Sequence, residues 1–251
     1  MNNPFDLTGT VALVTGAGTG LGAAMALGLA ESGSDLVLTD IVEPEGTAAR
    51  VKETGRRVGV LVRDLSGMEA LKDLSAAAIG AFGKIDILVN NAGIIRRTPA
   101  IDFTEKDWDD VMELNAKSVF FLSQAIARDM MKRNRGKIIN VASLLSFQGG
   151  ITVPSYSASK GAVAQITRAL ANEWAGSGIN VNAIAPGYMV TNNTENLRKD
   201  PARFRAISDR IPAARWGMPE DLQGAVVFLA SRASDYVHGH VLVVDGGWLA
   251  R

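Results

Sequence analysis

The glycine-rich stretch TGAGTGLG occupies residues 15–22 and directly continues the apolar run VALVT at residues 11–15. Glycine tolerates backbone conformations that other residues avoid, so this stretch predicts a tight turn from a strand into a helix. The free N–H groups at the start of such a helix attract an anion such as a pyrophosphate. A plain connection could look similar, but the position in a strand–helix–strand unit favours dinucleotide binding.

Short runs rich in Val and Ile alternate with helical patterns along the rest of the chain. The predicted strands cover residues 11–15, 35–40, 58–62, 86–90, 137–143, 179–186 and 240–245. The predicted helices cover residues 19–32, 44–55, 67–82, 104–134, 155–176 and 219–231. Apolar strands that alternate with helices are typical of a parallel sheet covered on both faces. The sequence therefore predicts an α/β fold, a single Rossmann-like, doubly wound domain with a seven-stranded parallel sheet over residues 1–251.

Residues 187–218 interrupt this alternation, because they are polar, contain two prolines and show only weak periodicity. A connection of this length inside a compact domain is usually functional. We expect it to form a lid over the substrate.

The composition excludes several classes of function. Lys plus Arg and Asp plus Glu both number 26, so the chain has no basic excess for nucleic acid or a membrane surface. The start MNNPFDLTGT is unlike a signal peptide, and no apolar run reaches the roughly 20 residues of a membrane span. A cytoplasmic location is expected. With no cysteine and two histidines, disulfides, thiolate chemistry and a metal site are not expected.

Asp40 ends the second predicted strand, about 20 residues beyond the glycines, where an acid can bind the adenosine ribose hydroxyls. The next residues, Ile41, Val42 and Glu43, include no cation that could bind a 2′-phosphate. This pattern predicts NAD rather than NADP as the cofactor. Asp40 could alternatively be a solvated turn residue.

Tyr156 and Lys160 are four residues apart in a predicted helix, so their side chains share one face. Ser143 ends the strand KIINVAS, at the edge where parallel sheets place their sites. A nearby ammonium and an oxidised nicotinamide ring both favour the phenolate, so we expect the pKa of Tyr156 to be lowered. A buried tyrosine beside a surface lysine is common, and the spacing alone does not exclude that alternative.

These residues complete a set of motifs that resembles the short-chain dehydrogenase/reductase family over nearly the whole chain. The motif T-G-x-x-x-G-x-G is matched by Thr15, Gly16, Gly20 and Gly22, and N-N-A-G by Asn90, Asn91, Ala92 and Gly93. The remaining motif positions are Asp64, Asn115, Ser143, Tyr156, Lys160, Pro186, Gly187 and Thr191.

The resemblance implies a role for each matched residue. Tyr156 would be the general acid or base, Ser143 would orient the substrate oxygen, and Lys160 would hold the nicotinamide ribose. Asn115 would hold a water that connects the lysine to solvent. The implied cofactor-binding residues are Gly16, Thr19, Gly20, Leu21, Gly22, Asp40, Ile41, Asp64, Leu65, Asn91, Ala92, Gly93, Tyr156, Lys160, Pro186, Gly187, Met189 and Thr191. The family also implies a homotetramer.

Less general segments, including NNAGIIRR at residues 90–97 and RIPAARWG at residues 210–217, resemble family members that oxidise deoxy sugar acids. Arginine is suited to hold a substrate carboxylate bidentately. Arg96, Arg97 and Arg215 are the candidates, and we expect only one of the adjacent pair to face the pocket because neighbours in an extended segment point oppositely. Gln148, Asn192 and Asn193 could bind hydroxyls, and Ser143 and Tyr156 would contact the reacting oxygen. Each could instead be a solvated surface residue.

Two groups of alternatives remain open. One comprises other enzymes of the same family, a gluconate 5-dehydrogenase or a 3-oxoacyl carrier-protein reductase whose basic cluster at residues 128–135 could bind an acidic carrier. The other is a non-catalytic redox sensor that binds NAD(H) and regulates a partner. The presence of Asn115, Ser143, Tyr156 and Lys160 favours an enzyme over a sensor.

Overall fold

The structure, a computed structural model, describes residues 3–251. Seven strands form one parallel sheet: β1 (Val11–Thr15), β2 (Asp35–Asp40), β3 (Val58–Val62), β4 (Ile87–Asn90), β5 (Gly136–Val141), β6 (Ile179–Pro186) and β7 (Val241–Val244). Their order is β3-β2-β1-β4-β5-β6-β7, which confirms the predicted doubly wound sheet. The direction of winding reverses between β1 and β4, and such a reversal opens a crevice at the carboxyl ends of the strands.

Nine α-helices connect and cover the strands within the described residues. They are α1 (Gly20–Glu31), α2 (Glu45–Glu53), α3 (Met68–Phe82), α4 (Glu105–Met112), α5 (Ser118–Arg133), α6 (Pro154–Trp174), α7 (Glu195–Lys199), α8 (Pro201–Ser208) and α9 (Gln223–Ala230). The helices α1, α2 and α9 pack on one face of the sheet, and α3, α5 and α6 pack on the other.

The core consists of one large apolar cluster on each face of the sheet. Alternating residues of a strand serve the two clusters: in β1, Ala12 and Val14 belong to one and Val11 and Leu13 to the other. All four are at most 2% exposed. This burial on both faces explains why the strands are continuously apolar rather than alternating in sequence.

The prediction of one continuous α-helix over residues 104–134 is wrong, because the segment is interrupted near its middle. A π-helical turn at Glu113–Lys117 separates α4 from α5. Asn115 lies in this wider turn, and its side-chain amide accepts from the Ile94 N–H and donates to the Ile94 carbonyl, both at 2.8 Å. Hydrophobic periodicity does not distinguish one wider turn from the α-helical turns on either side of it. Such turns are frequently found at functional sites.

Residues 187–218, the predicted lid, are partly helical because they contain α7 and α8. The lid packs on the rest of the chain through a separate apolar cluster that includes Leu144, Ile207, Trp216 and Trp248. The weak periodicity of the sequence reflects the shortness of these helices.

No helix within residues 3–251 has the length and apolar character needed to cross a membrane. Over the same range, no three His, Cys, Asp or Glu side chains are grouped so that they could hold a metal ion.

Candidate active site

The glycine-rich loop makes a close turn between β1 and α1. Gly16 and Gly20 have φ angles of +63° and +54°, in the region that favours glycine. A Cβ atom on Gly22 would lie 2.0 Å from the Gly16 carbonyl oxygen, so this position has no room for a side chain. Thr19, which precedes α1, makes no side-chain hydrogen bond to the helix, so the first N–H groups of α1 remain available to an anion.

Asn91 ties this loop to the end of β4. Its side-chain amide donates to the carbonyls of Thr15 and Gly16 at 2.9 and 3.0 Å. In return, the Thr15 hydroxyl accepts from the backbone N–H groups of Asn91 and Ala92, both at 3.0 Å. These bonds hold the loop across the crevice between β1 and β4, and they give Asn91 a structural role.

A cavity of about 340 Å³ lies along the loop at the carboxyl ends of the strands. It is lined by Gly16, Thr19, Gly20, Leu21, Gly22, Asp40, Ile41, Arg63, Leu65, Asn91, Ala92, Gly93, Ile94, Leu114, Val141, Tyr156, Lys160, Thr191, Asn192 and Asn193. The exposed helix terminus fits a pyrophosphate, and the side-chain-free cradle lets it approach the backbone. The chain's own residues therefore fit a nicotinamide dinucleotide in this cavity, which we call the cofactor cavity.

Asp40 and Arg63 place opposite charges at one end of the cofactor cavity. The Asp40 carboxylate accepts from the backbone N–H groups of Gly18 and Ile41, both at 2.8 Å. Arg63 follows β3, whose last residue, Val62, is paired with Asp40, and it lines the same cavity. Neither the residues after Asp40 nor the glycine-rich loop contains a cation, so the sequence near this site does not reveal Arg63, which follows a different strand.

Tyr156, Lys160 and Ser143 meet where α6 packs against the end of β5. The Lys160 ammonium donates to the Val141 carbonyl at 2.6 Å and lies 5.6 Å from the centroid of the Tyr156 ring. Ser143 caps the short helical turn Leu144–Ser146. The Ser146 hydroxyl donates to the Lys160 carbonyl at 2.6 Å, which fixes this turn against α6.

Asn115 reaches the same cluster from the π-helical turn. Its amide donates to the Ser159 hydroxyl at 3.3 Å, and that hydroxyl donates to the Tyr156 carbonyl at 2.8 Å. Asn115 and Ser159 are both fully buried. Asn115 thus acts on α6 and on Ile94 rather than on the Tyr156 phenol directly, which makes it a positioning residue.

Burial dominates the titration of the two central groups. It lowers the pKa of the Lys160 ammonium from 10.5 to about 8. It also raises the pKa of the Tyr156 phenol, although the Ser143 hydroxyl and the Arg97 charge act in the lowering direction. The chain's own groups therefore do not produce the lowered tyrosine pKa that the sequence predicted, because desolvation of the phenolate outweighs them.

A second cavity, of about 400 Å³, opens on the other side of Tyr156. It is lined by Ile95, Arg97, Ser143, Leu144, Leu145, Gln148, Gly149, Gly150, Ile151, Val153, Tyr156, Pro186, Gly187, Tyr188, Asn193, Thr194, Leu197, Arg203, Ala206, Ile207, Arg210 and Trp248. Tyr156 and Asn193 line both cavities. We call the second one the substrate cavity, since the shared Tyr156 lets a ligand in it meet a cofactor.

The structure separates the three arginines that the sequence proposed for a carboxylate. Arg97 lines the substrate cavity, where its guanidinium donates to the Asn193 carbonyl at 3.3 Å. Arg96 points elsewhere, 3.4 Å from Asp107 and 3.7 Å from Asp110. Arg215 forms two hydrogen bonds with Asp221, at 2.6 and 2.8 Å, and lines a different small cavity.

Four other predicted residues lie outside the cofactor cavity. Asp64 accepts from the Ser66 N–H at 2.9 Å and lines a neighbouring cavity. Pro186 and Gly187 line the substrate cavity, and Met189 is buried in the core at 4% exposure. The predicted Gln148 lines the substrate cavity, whereas Asn192 and Thr191 line the cofactor cavity.

Arg203, Arg210 and Trp248 also line the substrate cavity, although none of them is among the residues predicted for the substrate. Arg203 and Arg210 are seven residues apart, a spacing that marks one helical face. The sequence carries this signal, but α8 is only eight residues long and Arg210 lies beyond its end, so the periodicity is weak.

The fold and the site together define a nicotinamide-dependent oxidoreductase, and comparison with known proteins agrees. The family described as enoyl-(acyl carrier protein) reductase, one branch of these enzymes, matches residues 16–249. The chain belongs to the short-chain dehydrogenase/reductase family.

Within that family, the chain is similar to two curated 2-dehydro-3-deoxy-D-gluconate 5-dehydrogenases. The enzyme from Dickeya dadantii is 63% identical in sequence, and the match covers 99% of each chain. The one from Escherichia coli is 61% identical, with 98% of each chain covered. A solved structure from Agrobacterium tumefaciens, described as a candidate 2-deoxy-D-gluconate 3-dehydrogenase with bound NADP, is 55% identical with a TM-score of 0.94 over 100% of both chains.

Proposed function

We propose that this protein transfers a hydride between its nicotinamide cofactor and a secondary alcohol or ketone of a deoxy sugar acid. The proposed substrate is 2-dehydro-3-deoxy-D-gluconate, oxidised at carbon 5, as in the names of the relatives from Dickeya dadantii and Escherichia coli. One observation carries the substrate class: three arginines and no carboxylate line the substrate cavity. The positive charge of such a lining attracts an acid, whereas a neutral alcohol gains no comparable electrostatic attraction.

In the proposed mechanism, Tyr156 exchanges a proton with the substrate oxygen. During oxidation the Tyr156 phenolate takes the proton of the substrate hydroxyl, and during reduction the phenol returns it to the developing alkoxide. The Ser143 hydroxyl, on the wall of the same cavity, donates a hydrogen bond to that oxygen and orients it. The Lys160 ammonium supplies a positive charge on the opposite side of the phenol.

The chain also contributes to catalysis by holding the substrate close to the cofactor. Because Tyr156 lines both cavities, a substrate held in one presents its reacting carbon toward the other. The cofactor supplies the hydride acceptor or donor and, in its oxidised form, a positive ring charge that favours the phenolate. Asn115 keeps the loop after β4 and the start of α6 in register through Ile94 and Ser159.

We propose NAD as the preferred cofactor. The Asp40 carboxylate, held at the cavity edge by two N–H groups, suits the ribose hydroxyls and repels a 2′-phosphate. NADP is the second candidate, because Arg63 lines the same end of the cavity and the relative from Agrobacterium tumefaciens carries bound NADP. We favour NAD because Asp40 is hydrogen-bonded directly to the glycine-rich loop at Gly18, whereas Arg63 has no such bond to the loop among the described residues.

An absorbance assay at the wavelength of the reduced cofactor tests these assignments. The purified protein is given NAD or NADP with 2-dehydro-3-deoxy-D-gluconate, 2-deoxy-D-gluconate or D-gluconate, and NADH or NADPH with a 3-oxoacyl thioester. We expect the highest specificity constant with a deoxy hexonate and NAD. A preference for gluconate or for the thioester would identify one of the other family activities, and binding of NADH without any turnover would identify a redox sensor.

We propose that residues 1–251 act as one catalytic domain, with residues 187–218 as its lid, and that the protein is a cytoplasmic homotetramer. Light scattering of the purified protein measures the subunit number. A molar mass other than four times that of the 26.5 kDa chain would contradict the tetramer.

A further inference from the structure

The lid helix α8 turns one face toward the substrate cavity. Arg203, Ala206 and Ile207 of α8 line the cavity, and so does Arg210, which lies in the turn two residues beyond the end of the helix. Their spacing of three, four and seven residues keeps them on one side of this segment. The stripe is apolar in its middle and has an arginine at each end. Arg205, which lies between them in the chain, is exposed and does not line the cavity.

The guanidinium of Arg210 is held in a defined orientation. It stacks on the ring of Trp248, 4.0 Å from the centroid. Trp248 is only 5% exposed, and its ring N–H donates to the Gln148 side chain at 3.3 Å. A guanidinium that is already held against a buried ring loses less entropy when a carboxylate binds to it.

Neither of these lid arginines has a carboxylate partner within residues 3–251. Arg203 and Arg210 form no ion pair there, and no Asp or Glu lines the cavity that they share. Arg96 and Arg215, which the sequence proposed for the substrate, are both neutralised by aspartates. The uncompensated positive charge of the cavity is therefore concentrated on Arg97, on Arg203 in α8 and on Arg210 in the turn that follows it.

We propose that Arg203 and Arg210 form the carboxylate-binding subsite of this enzyme. This inference rests on the proposed function, because it assigns the position of the acid group in the same substrate. Neither arginine is among the residues that the sequence proposed for the substrate.

The chemistry of the substrate supports this division of roles. Carbon 5, the reacting centre, and the carboxylate at carbon 1 lie toward opposite ends of the sugar-acid chain. Arg97 is the arginine whose charge acts on the Tyr156 phenol, so it belongs to the end of the cavity where the reacting oxygen binds. The carboxylate then requires cationic partners farther from Tyr156, and Arg203 and Arg210 supply two.

The test compares Arg203→Gln, Arg210→Gln and the matched control Arg205→Gln, which removes a charge from the same helix outside the cavity. Steady-state kinetics is measured with the deoxy hexonate and with its uncharged carboxamide. We expect each of the first two variants to raise the Michaelis constant for the acid about tenfold or more, because a charge-assisted contact is lost. The turnover number and the constants for the carboxamide should change less than threefold, and Arg205→Gln should resemble the parent.

A binding measurement accompanies the kinetics, so that failure of this inference can be told from failure of the proposed function. Thermal stabilisation by the hexonate and by the carboxamide is recorded for all four proteins in the presence of reduced cofactor. We expect the hexonate to stabilise the parent and Arg205→Gln but not the other two variants.

A parent without turnover that the hexonate nevertheless stabilises through Arg203 and Arg210 would contradict the proposed function and keep the subsite. An active parent whose preference for acid over carboxamide survives both substitutions would overturn the subsite alone. A parent that the hexonate neither reacts with nor stabilises would overturn both.

Discussion

The Asp40 carboxylate accepts a hydrogen bond from the backbone N–H of Gly18 at 2.8 Å, which joins the end of β2 to the glycine-rich loop. A Cβ atom on Gly18 would lie 2.9 Å from the same carboxylate oxygen, so a residue with a side chain at this position would crowd the hydrogen bond. The bond fixes a negative charge at the edge of the cofactor cavity. The selectivity between the two nicotinamide cofactors should follow from this charge and from Arg63.

Asp40→Ala should weaken the preference for NAD. The substitution removes an acceptor for the ribose hydroxyls and a charge that repels a 2′-phosphate, so we expect the specificity constant for NAD to fall and that for NADP to rise. The measured quantity is the ratio of the two specificity constants, with the exposed neighbour Glu43→Ala as the control.

Arg63→Ala is the complementary variant. If Arg63 binds a 2′-phosphate, the specificity constant for NADP should fall about tenfold, and that for NAD should change little. A parent enzyme that already favours NADP, and loses that preference in this variant, would reverse our assignment of the cofactor.

Tyr156→Phe should abolish most of the turnover and leave the binding of NADH intact. Only the phenolic oxygen is removed, and general acid–base catalysis contributes about 10²- to 10⁴-fold. Turnover is measured by cofactor absorbance and binding by quenching of protein fluorescence. Tyr236→Phe is the matched control, since Tyr236 is fully exposed. Activity within a few-fold of the parent in the Tyr156 variant would remove this residue from the mechanism.

Lys160→Met should change how stability depends on pH. Burial lowers the pKa of Lys160 from its ordinary 10.5 to about 8, so between these values the unfolded chain holds a proton that the folded chain has released. Stability from this group therefore increases with pH across that window, by up to about 3 kcal/mol. Methionine has no such proton.

The measurement is the difference in the free energy of unfolding between the parent and Lys160→Met, obtained in urea from pH 7 to pH 10. This difference should increase with pH in favour of the parent. A difference that stays constant would mean that the lysine retains its ordinary pKa in the folded protein.

Gly22→Ala should destabilise the protein and weaken the binding of both cofactors. Its new methyl group would meet the Gly16 carbonyl oxygen, which is backbone, so the loop has to move. We expect a loss of about 1–3 kcal/mol in the free energy of unfolding. Gly80→Ala is the control: it lies in α3 with no atom within 4 Å of the added group, and it should stabilise by about 0.5–1 kcal/mol. Equal effects of both substitutions would contradict the close packing at Gly22.

Features that depend on neighbouring residues were predictable from the sequence. The apolar strands, the turn at residues 15–22 and the shared helical face of Tyr156 and Lys160 all follow from periodicities that a short segment specifies. The family resemblance extended this prediction to Ser143 and Asn115, which the structure brings into the same cluster. The π-helical turn at Asn115 was missed because it depends on a bond to Ile94, more than 20 residues away.

The sequence by itself determined the class of the fold and the class of the reaction, and it placed Tyr156 and Lys160 on one helical face. Only the tertiary structure decided which charged side chains line the cofactor cavity and the substrate cavity. The pairing of β2 with β3 brings Arg63 close to Asp40. Arg97 lines the substrate cavity, whereas Arg215 forms an ion pair with Asp221. Charges interact through space, so their partners depend on how distant segments pack, and no local pattern in the chain encodes that packing.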